Sequence, residues 1–570
     1  MKLFAKKYYS TLFFWMMCFF SFAQTQEYRN SGFTKPMNLP FNLAGSFGEP
    51  RQDHFHSGID IKTNGIEGEP VFAIGDGYIS RIRVSPYGYG RAIYITHSNG
   101  FTSVYGHLSR FNAAIEKYVH THHYLQKKSE LDLYFDAEKF PVNKNNTIAF
   151  SGNTGGSSAP HLHFEIRDNK TEHALNPLDF YPRNFYTDTI PPQLNKVKIL
   201  SMFDNSYFST SNIYYLKETG NYITNADSII IDNYPAYSIS LEGFDKQDNS
   251  ENKNGINKIE VFQEDSLVFK YDLTDVDFNK TRMCNAFVDY HEMMNDSGYF
   301  YNCYQLKGNS LSMYSSDKKG FLKIRNNEQQ KLTINCYDDN NNIRSIKLNI
   351  LRKDSDKLLD SSAIPYFKYP EYNEIYKNNF KIQFERNTFY EDCSINLDIK
   401  KSDFKKLTSE IYNVSDFFGN KIPLHKPAKI SFNSTIRKSR NKIVIVRQNH
   451  KRKETALKTT FDKTNFYAET KELGSFYLKY DTIKPVIEIL NLNSKILNKK
   501  ITATISDNLS GIDTYNGFID NKWVNFYYDA KNDLIQYNID EYCSKGEHLL
   551  KIIVTDKVGN KSVVQLKFNY

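Results

Sequence analysis

Between residues 28 and 186, short apolar runs alternate with glycine-centred turns. Six runs (Pro70–Ile74, Tyr78–Val84, Ala92–Thr96, Thr102–Tyr105, Thr147–Phe150 and His161–Ile166) are rich in β-branched and aromatic residues and predict strands. Turn signals such as Gly75-Asp76-Gly77, Ser98-Asn99-Gly100 and Gly152-Asn153-Thr154-Gly155-Gly156 separate them. The pattern predicts a small antiparallel β-core. Residues 109–146 interrupt it as an insertion with many Lys and His, helical around Ala113–Tyr118. His120, His122 and His123 lie in this insertion and read as part of a solvated loop rather than as an accessory metal site.

From Asp188 onward the texture is rich in Asn, Lys and Tyr, with many alternating strands and a weak internal repeat. Asp188-Thr-Ile-Pro-Pro192 matches Asp481-Thr-Ile-Lys-Pro485, each opening a strand-rich unit. Asp248-Asn-Ser with Asn254-Gly-Ile256 resembles Asp507-Asn-Leu-Ser-Gly-Ile512, and Val414-Ser-Asp-Phe-Phe-Gly-Asn420 resembles Val554-Thr-Asp-Lys-Val-Gly-Asn560. Strand, Asp/Gly/Asn turn, strand is hairpin chemistry. Units of this length with short strands predict β-sandwiches of immunoglobulin type. The expected organisation is all-β: a leader over 1–23, a β-core domain over 24–186, a sandwich-like module over 187–350, a β-rich module over 351–478 and a sandwich over 479–570.

The 570 residues are 40% hydrophobic and 24% charged, which excludes a wholly disordered chain and a multi-span membrane protein. The 73 basic against 65 acidic residues leave +8, too thin a basic density for a dedicated nucleic-acid binder. Lys2, Lys6 and Lys7 precede the apolar run Leu12–Phe22, and Ser21-Phe22-Ala23 ends it with small residues at the cleavage positions. This predicts a secretory signal cut after Ala23 and an exported protein, periplasmic or extracellular, with no later run apolar enough to anchor it in a membrane. Cleavage leaves Cys284, Cys303, Cys336, Cys393 and Cys543. Cys284 and Cys303 either pair or, like the others, remain buried thiols.

Three elements of the first domain carry candidate chemistry: His56-Ser-Gly-Ile-Asp60, Tyr105-Gly-His107-Leu108 and His161-Leu-His163-Phe164-Glu165. On a strand, residues i and i+2 share a face, so His161 and His163 point together while Leu162 and Phe164 turn to the core. Two imidazoles and one carboxylate suit Zn²⁺ and leave a position for water, which the metal acidifies to a pKa of about 7. Two further histidines then manage a proton and an oxyanion. Of the remaining candidates, His97 reads as structural, His54 as a groove-edge residue and Glu165 as a partner of the metal ligands. The basic run Arg437–Lys453 reads as a hairpin with solvated ends.

Residues 45–168 resemble the lysostaphin-type, or LytM-like, zinc endopeptidases. The matching stretches are Phe55-His-Ser-Gly-Ile-Asp-Ile61, Gly68-Glu-Pro-Val71, Gly75-Asp-Gly-Tyr78, Gly88-Tyr-Gly90, Tyr105-Gly-His-Leu108, Ser151-Gly-Asn-Thr-Gly155 and Pro160-His-Leu-His-Phe-Glu165, in the family's order. The resemblance implies His56, Asp60 and His163 as zinc ligands and His107 and His161 as catalytic residues. It implies hydrolysis of amides in peptidoglycan peptides, with the later modules positioning the enzyme or binding a protein partner. The rival reading is a catalytically silent wall-binding or hydrolase-activating protein. The intact ligand set argues against it.

Overall fold

The computed structural model describes residues 28–29, 31–202, 208–219, 222–224, 228–232, 234–316, 318–353, 366–400, 409–416, 421–491 and 499–570. The expected leader lies outside them, as do Phe417–Asn420 of the repeat. Among the described residues no helix is long and apolar enough to cross a membrane. The chain is all-β apart from a few short helices and one longer one.

The first domain is built on an antiparallel sheet containing β1 (Leu43–Gly45), β2 (Ile59–Lys62), β3 (Gly77–Val84), β4 (Arg91–His97), β5 (Phe101–Gly106), β6 (Leu131–Tyr134) and β7 (His161–Asp168). Their order across the sheet is β1-β2-β7-β5-β4-β3-β6. A second sheet joins Pro70–Phe72, Thr147–Phe150 and Arg110–Phe111. The six expected strands all occur, with ends shifted by no more than two residues. β7 shows why: Leu162, Phe164 and Ile166 are fully buried in the core, while the alternate residues His161, His163 and Glu165 share the other face.

The insertion departs from expectation. Its helix α1 runs Ala113–Gln126, two turns beyond Tyr118. Asn112 caps it by accepting from the Ile115 amide at 3.0 Å, and Lys127 ends it in the left-handed conformation. Ile115, Val119 and His123, four apart, form its buried stripe. The three histidines are therefore helical rather than in a solvated loop. His123 is fully buried, His122 stacks on Tyr118, and His120 Nε2 lies 3.0 Å from Asp540 Oδ2.

The strands over 193–353 form a five-stranded and a seven-stranded sheet, and one apolar core runs from Met37 to Ile350, joining them to the first domain. The sheets also connect directly, since Ala174–Leu175 pairs with Asp275–Val276. Residues 366–480 make six- and five-stranded sheets around a second core, and 486–569 make two four-stranded sheets around a third. Within the second body Ile443–Gln448 pairs with Glu454–Ala456 in the expected hairpin. All five described cysteines are buried and unpaired, so Cys284 and Cys303 do not form the disulfide left open by the sequence.

Candidate metal centre

β2 and β7 are neighbours in register, with Asp60 directly opposite His163, and His163 is opposite Gly106 on β5. His56 lies just before β2. Gly58 lets this approach happen, because a Cβ there would stand 2.3 Å from the Phe164 carbonyl oxygen. His107 follows β5 with φ of 58°, a left-handed conformation that a histidine adopts at a cost of roughly 1 kcal/mol.

The result is one cluster. His56 Nε2 lies 3.1 Å from Asp60 Oδ1 and 3.0 Å from His163 Nδ1, and His163 Nδ1 lies 2.9 Å from Asp60 Oδ1. Four ligands about 2.0–2.1 Å from a zinc ion stand about 3.3 Å from one another, so these three atoms already have nearly that spacing. Each ring's other nitrogen is bound to an acceptor: His56 Nδ1 donates to the Ser46 carbonyl at 2.7 Å and His163 Nε2 donates to Glu165 Oε1 at 2.8 Å. Those bonds fix both tautomers so that a lone pair faces the shared point.

Burial holds His56 down at about 4, against the pull of Asp60. Burial opposes charge on Asp60 as well, but His56, His161 and His163 outweigh it and keep the carboxylate well below its usual range. On His163, Asp60 and Glu165 outweigh burial and favour a proton, which a divalent cation displaces from the same lone pair. The donor set, its spacing and its fixed tautomers fit Zn²⁺.

His161 and His107 flank this point, with ring centroids 4.8 Å apart. His161 Nδ1 donates to the Ala159 carbonyl at 2.8 Å. Its Nε2 stands 3.3 Å from Asp60 Oδ1 and is buried without a hydrogen-bond partner. His107 Nδ1 donates to the Thr154 carbonyl at 2.8 Å. Burial, then His163 and His161, press His107 down to about 3, so it is neutral at ordinary pH. Both rings therefore present a free Nε2. The cluster opens at His161, whose side chain is 13% exposed against 2% for His56 and 3% for His163.

The structure also supplies partners that the motifs did not indicate. Arg51 Nη2 donates to Asp60 Oδ2 at 2.7 Å, leaving only Oδ1 turned to the histidines. Glu165 is fully buried and is met by the Ser57 and Tyr89 hydroxyls, both at 2.5 Å, and by Arg167. Arg167 is two residues from Glu165 on one strand face and was findable by period. Arg51 reaches the site across the turn between Pro50–Arg51 and His54–Phe55 and left no sequence signal. His54 is exposed, holds the Gln52 carbonyl and takes no part. His97 is buried between the Asp76 carbonyl and the Ser103 hydroxyl, a structural role.

A cavity of about 570 Å³ lies between the first domain and the last module, with Asn153, Thr154 and Gly155 on one wall and Tyr515, Tyr527 and Lys531 on the other; its link to the cluster is Thr154, whose carbonyl holds His107. Lys531 Nζ donates to the carbonyls of Asn153 and Ser157, so the last module grips the loop that orients His107.

Residues 54–130 match the model of Peptidase family M23, and residues 365–481 match that of the Zu5-like domain. The DD-carboxypeptidase/endopeptidase Mpg of Neisseria meningitidis is 34% identical over 114 residues, 20% of each chain. The peptidoglycan DD-endopeptidase ShyA of Vibrio cholerae is 29% identical over 136 residues, 23% of this chain and 26% of the relative. The chain thus spans about a fifth to a quarter of these relatives' length. Among solved structures, the catalytic domain of lysostaphin from Staphylococcus simulans is 28% identical, covering 24% of this chain and 87% of that one with a TM-score of 0.18.

Proposed function

We propose that the chain is an exported zinc metallo-endopeptidase that hydrolyses amide bonds in the peptide part of peptidoglycan. The observation that carries this reading is the convergence of His56, Asp60 and His163 within 3.1 Å of one another, flanked by two histidines with free Nε2 atoms. The M23 match and the peptidoglycan endopeptidases among the relatives support the substrate class.

His56 Nε2, Asp60 Oδ1 and His163 Nδ1 would hold the zinc, which supplies Lewis acidity to the scissile carbonyl and to water. The chain's own residues do the rest. His161 Nε2 accepts the proton of the attacking water and passes it to the leaving amine, because its Nδ1–H is committed to Ala159. His107 Nε2, with its Nδ1–H held by Thr154, presents a lone pair that accepts a hydrogen bond from the attacking water and orients it. Glu165 and Arg51 keep His163 and Asp60 in their bonding orientations. We infer that action is periplasmic or extracellular and that the later bodies, of immunoglobulin type, position the enzyme or bind a protein partner.

The test is incubation of the mature protein with purified sacculi, with and without chelator. New amino termini that appear only without chelator are expected. Their absence under both conditions points to the catalytically silent alternative.

A further inference from the structure

The repeated Asp-Thr-Ile motif marks the same construction built twice. Ligand-capable oxygens of Asp188, Asp245 and Asp338 lie within 4.8 Å of one another, and so do those of Asp481, Asp507 and Asp556. The framing is also repeated. Asn342 donates from its backbone amide and Nδ2 to the two Asp338 oxygens, at 2.8 and 2.7 Å, and from Nδ2 to the Asp188 carbonyl at 3.0 Å. Asn560 does the same to Asp556, at 2.7 and 2.7 Å, and to the Asp481 carbonyl at 3.1 Å.

No lysine or arginine among the described residues donates a hydrogen bond to either triad, although Arg183 lies near enough to the first to favour the charge of Asp338. The groups donating to the six carboxylates, among the described residues, are backbone amides, the two asparagines and the Tyr186 hydroxyl, none of them a cation. Asp245 is 2% exposed and Asp481 is 1% exposed, yet Oδ1 of each is buried without any hydrogen-bond partner, as is Asp507 Oδ1. Buried carboxylate oxygens left unpaired are expensive, and the first triad holds one of them and the second two. Their appearance at corresponding positions of two modules points to a missing positive partner.

We propose that each triad binds one calcium ion. The donors are oxygens only, which suits a hard cation and not the zinc of the nitrogen-containing cluster. Calcium takes about six to eight oxygen ligands in flexible geometry, which three carboxylates and the backbone carbonyls around them can supply. Magnesium demands strict octahedral geometry and sheds its waters reluctantly, which suits a site built from protein carboxylates less well.

Both triads sit at seams. Tyr186 donates to Asp188 Oδ2 at 3.2 Å, and nearby Asn176 donates to Asp339 at 2.7 Å, tying the first triad to the peptidase-like domain. The Asp481 amide donates to the Lys442 carbonyl at 2.7 Å, and Lys442 Nζ donates to the Val558 carbonyl at 2.8 Å, tying the second triad to the module before it. Calcium at these points fixes how each module meets its predecessor. This inference does not depend on the peptidase reading.

The test is a calcium titration of the full-length mature protein, zinc-loaded and freed of other divalent ions, read by calorimetry. Two calcium ions per chain are expected. Asp245→Asn and Asp507→Asn should each remove one and the double variant both, while Asp248→Asn, outside the triads, leaves two. The unfolding midpoint of the wild type should rise in millimolar calcium and that of the double variant should not. Terbium luminescence sensitised by Tyr186 gives a readout on the unaltered chain, and calcium should quench it by displacement. No saturable calcium binding up to millimolar concentration, or a stoichiometry unchanged by both substitutions, overturns the proposal.

Discussion

Asp60 divides its two oxygens between two tasks. Oδ2 is held by Arg51 and Oδ1 faces the histidines, so its orientation is set before any ion arrives. Glu165 does the equivalent for His163. Removing a ligand and removing a catalytic histidine should therefore have separable effects. His163→Ala should drop zinc content from one ion per chain to less than about a tenth, measured by elemental analysis. His161→Ala should keep the zinc and lower kcat by about 10²–10⁴-fold in a sacculus-release assay. Glu165→Gln should leave the fold intact and weaken zinc about 10–100-fold in a chelator competition. At this scale the candidate site was legible as ordered motifs, because each residue sits beside short glycine-bearing signatures. Arg51 was not legible, because it reaches the site through a tertiary contact with no fixed spacing, whereas Ser57 and Tyr89 lie within the motifs but nothing in them showed that both would meet Glu165.

Helix α1 is where sequence and structure part most. Its charged and histidine-rich surface concealed a stripe of only three buried positions, Ile115, Val119 and His123. His and Lys on the other positions suggested solvent, but there too the helix meets the last module: Tyr124 stacks on Tyr542 with centroids 3.7 Å apart, and His120 Nε2 lies 3.0 Å from Asp540 Oδ2. The strands, by contrast, were legible from alternation alone, since both faces of β7 are specified by HLHFEI. His123 also gives the helix a pH signature. Burial, then Arg91 beside it, lowers His123 to about 4, against the Lys128 carbonyl that favours its proton. The unfolded chain, with histidine near its usual 6.5, binds more protons between those values. The contribution of His123 is present above pH 6.5 and is lost as pH falls toward 4, amounting to about 3 kcal/mol at most. The difference between wild-type and His123→Leu unfolding free energies should follow that window, and a difference constant from pH 7 to 4 would contradict it.

Across the whole molecule the repeat was legible only in outline. The Asp-Thr-Ile-x-Pro openings do mark corresponding places, but Asp245, not Asp248, takes the position of Asp507, and Asp338 that of Asp556. The segments between these residues differ in length in the two modules, so in sequence the Asp-Asn pair matches better than the residue that the fold brings inward. Nothing in the sequence showed that the last module returns to the first domain, since this depends on how the intervening bodies are stacked. That return places Lys531 on the Asn153 and Ser157 carbonyls, next to the loop that holds His107. Lys531→Ala should leave the unfolding midpoint nearly unchanged and lower kcat/KM on sacculi by up to about 10²-fold through misplacement of that loop. An unchanged kcat/KM would show that the contact has no bearing on the groove.

The central claim is a single zinc ion held by two imidazoles and one carboxylate. X-ray absorption at the zinc edge of the purified mature protein tests it most directly. The account predicts one zinc per chain with nitrogen and oxygen neighbours at about 2.0–2.1 Å, two of them imidazoles, and loss of that signal in His56→Ala and His163→Ala. A first shell containing sulfur at about 2.3 Å, or an imidazole signal that survives both substitutions, would contradict it.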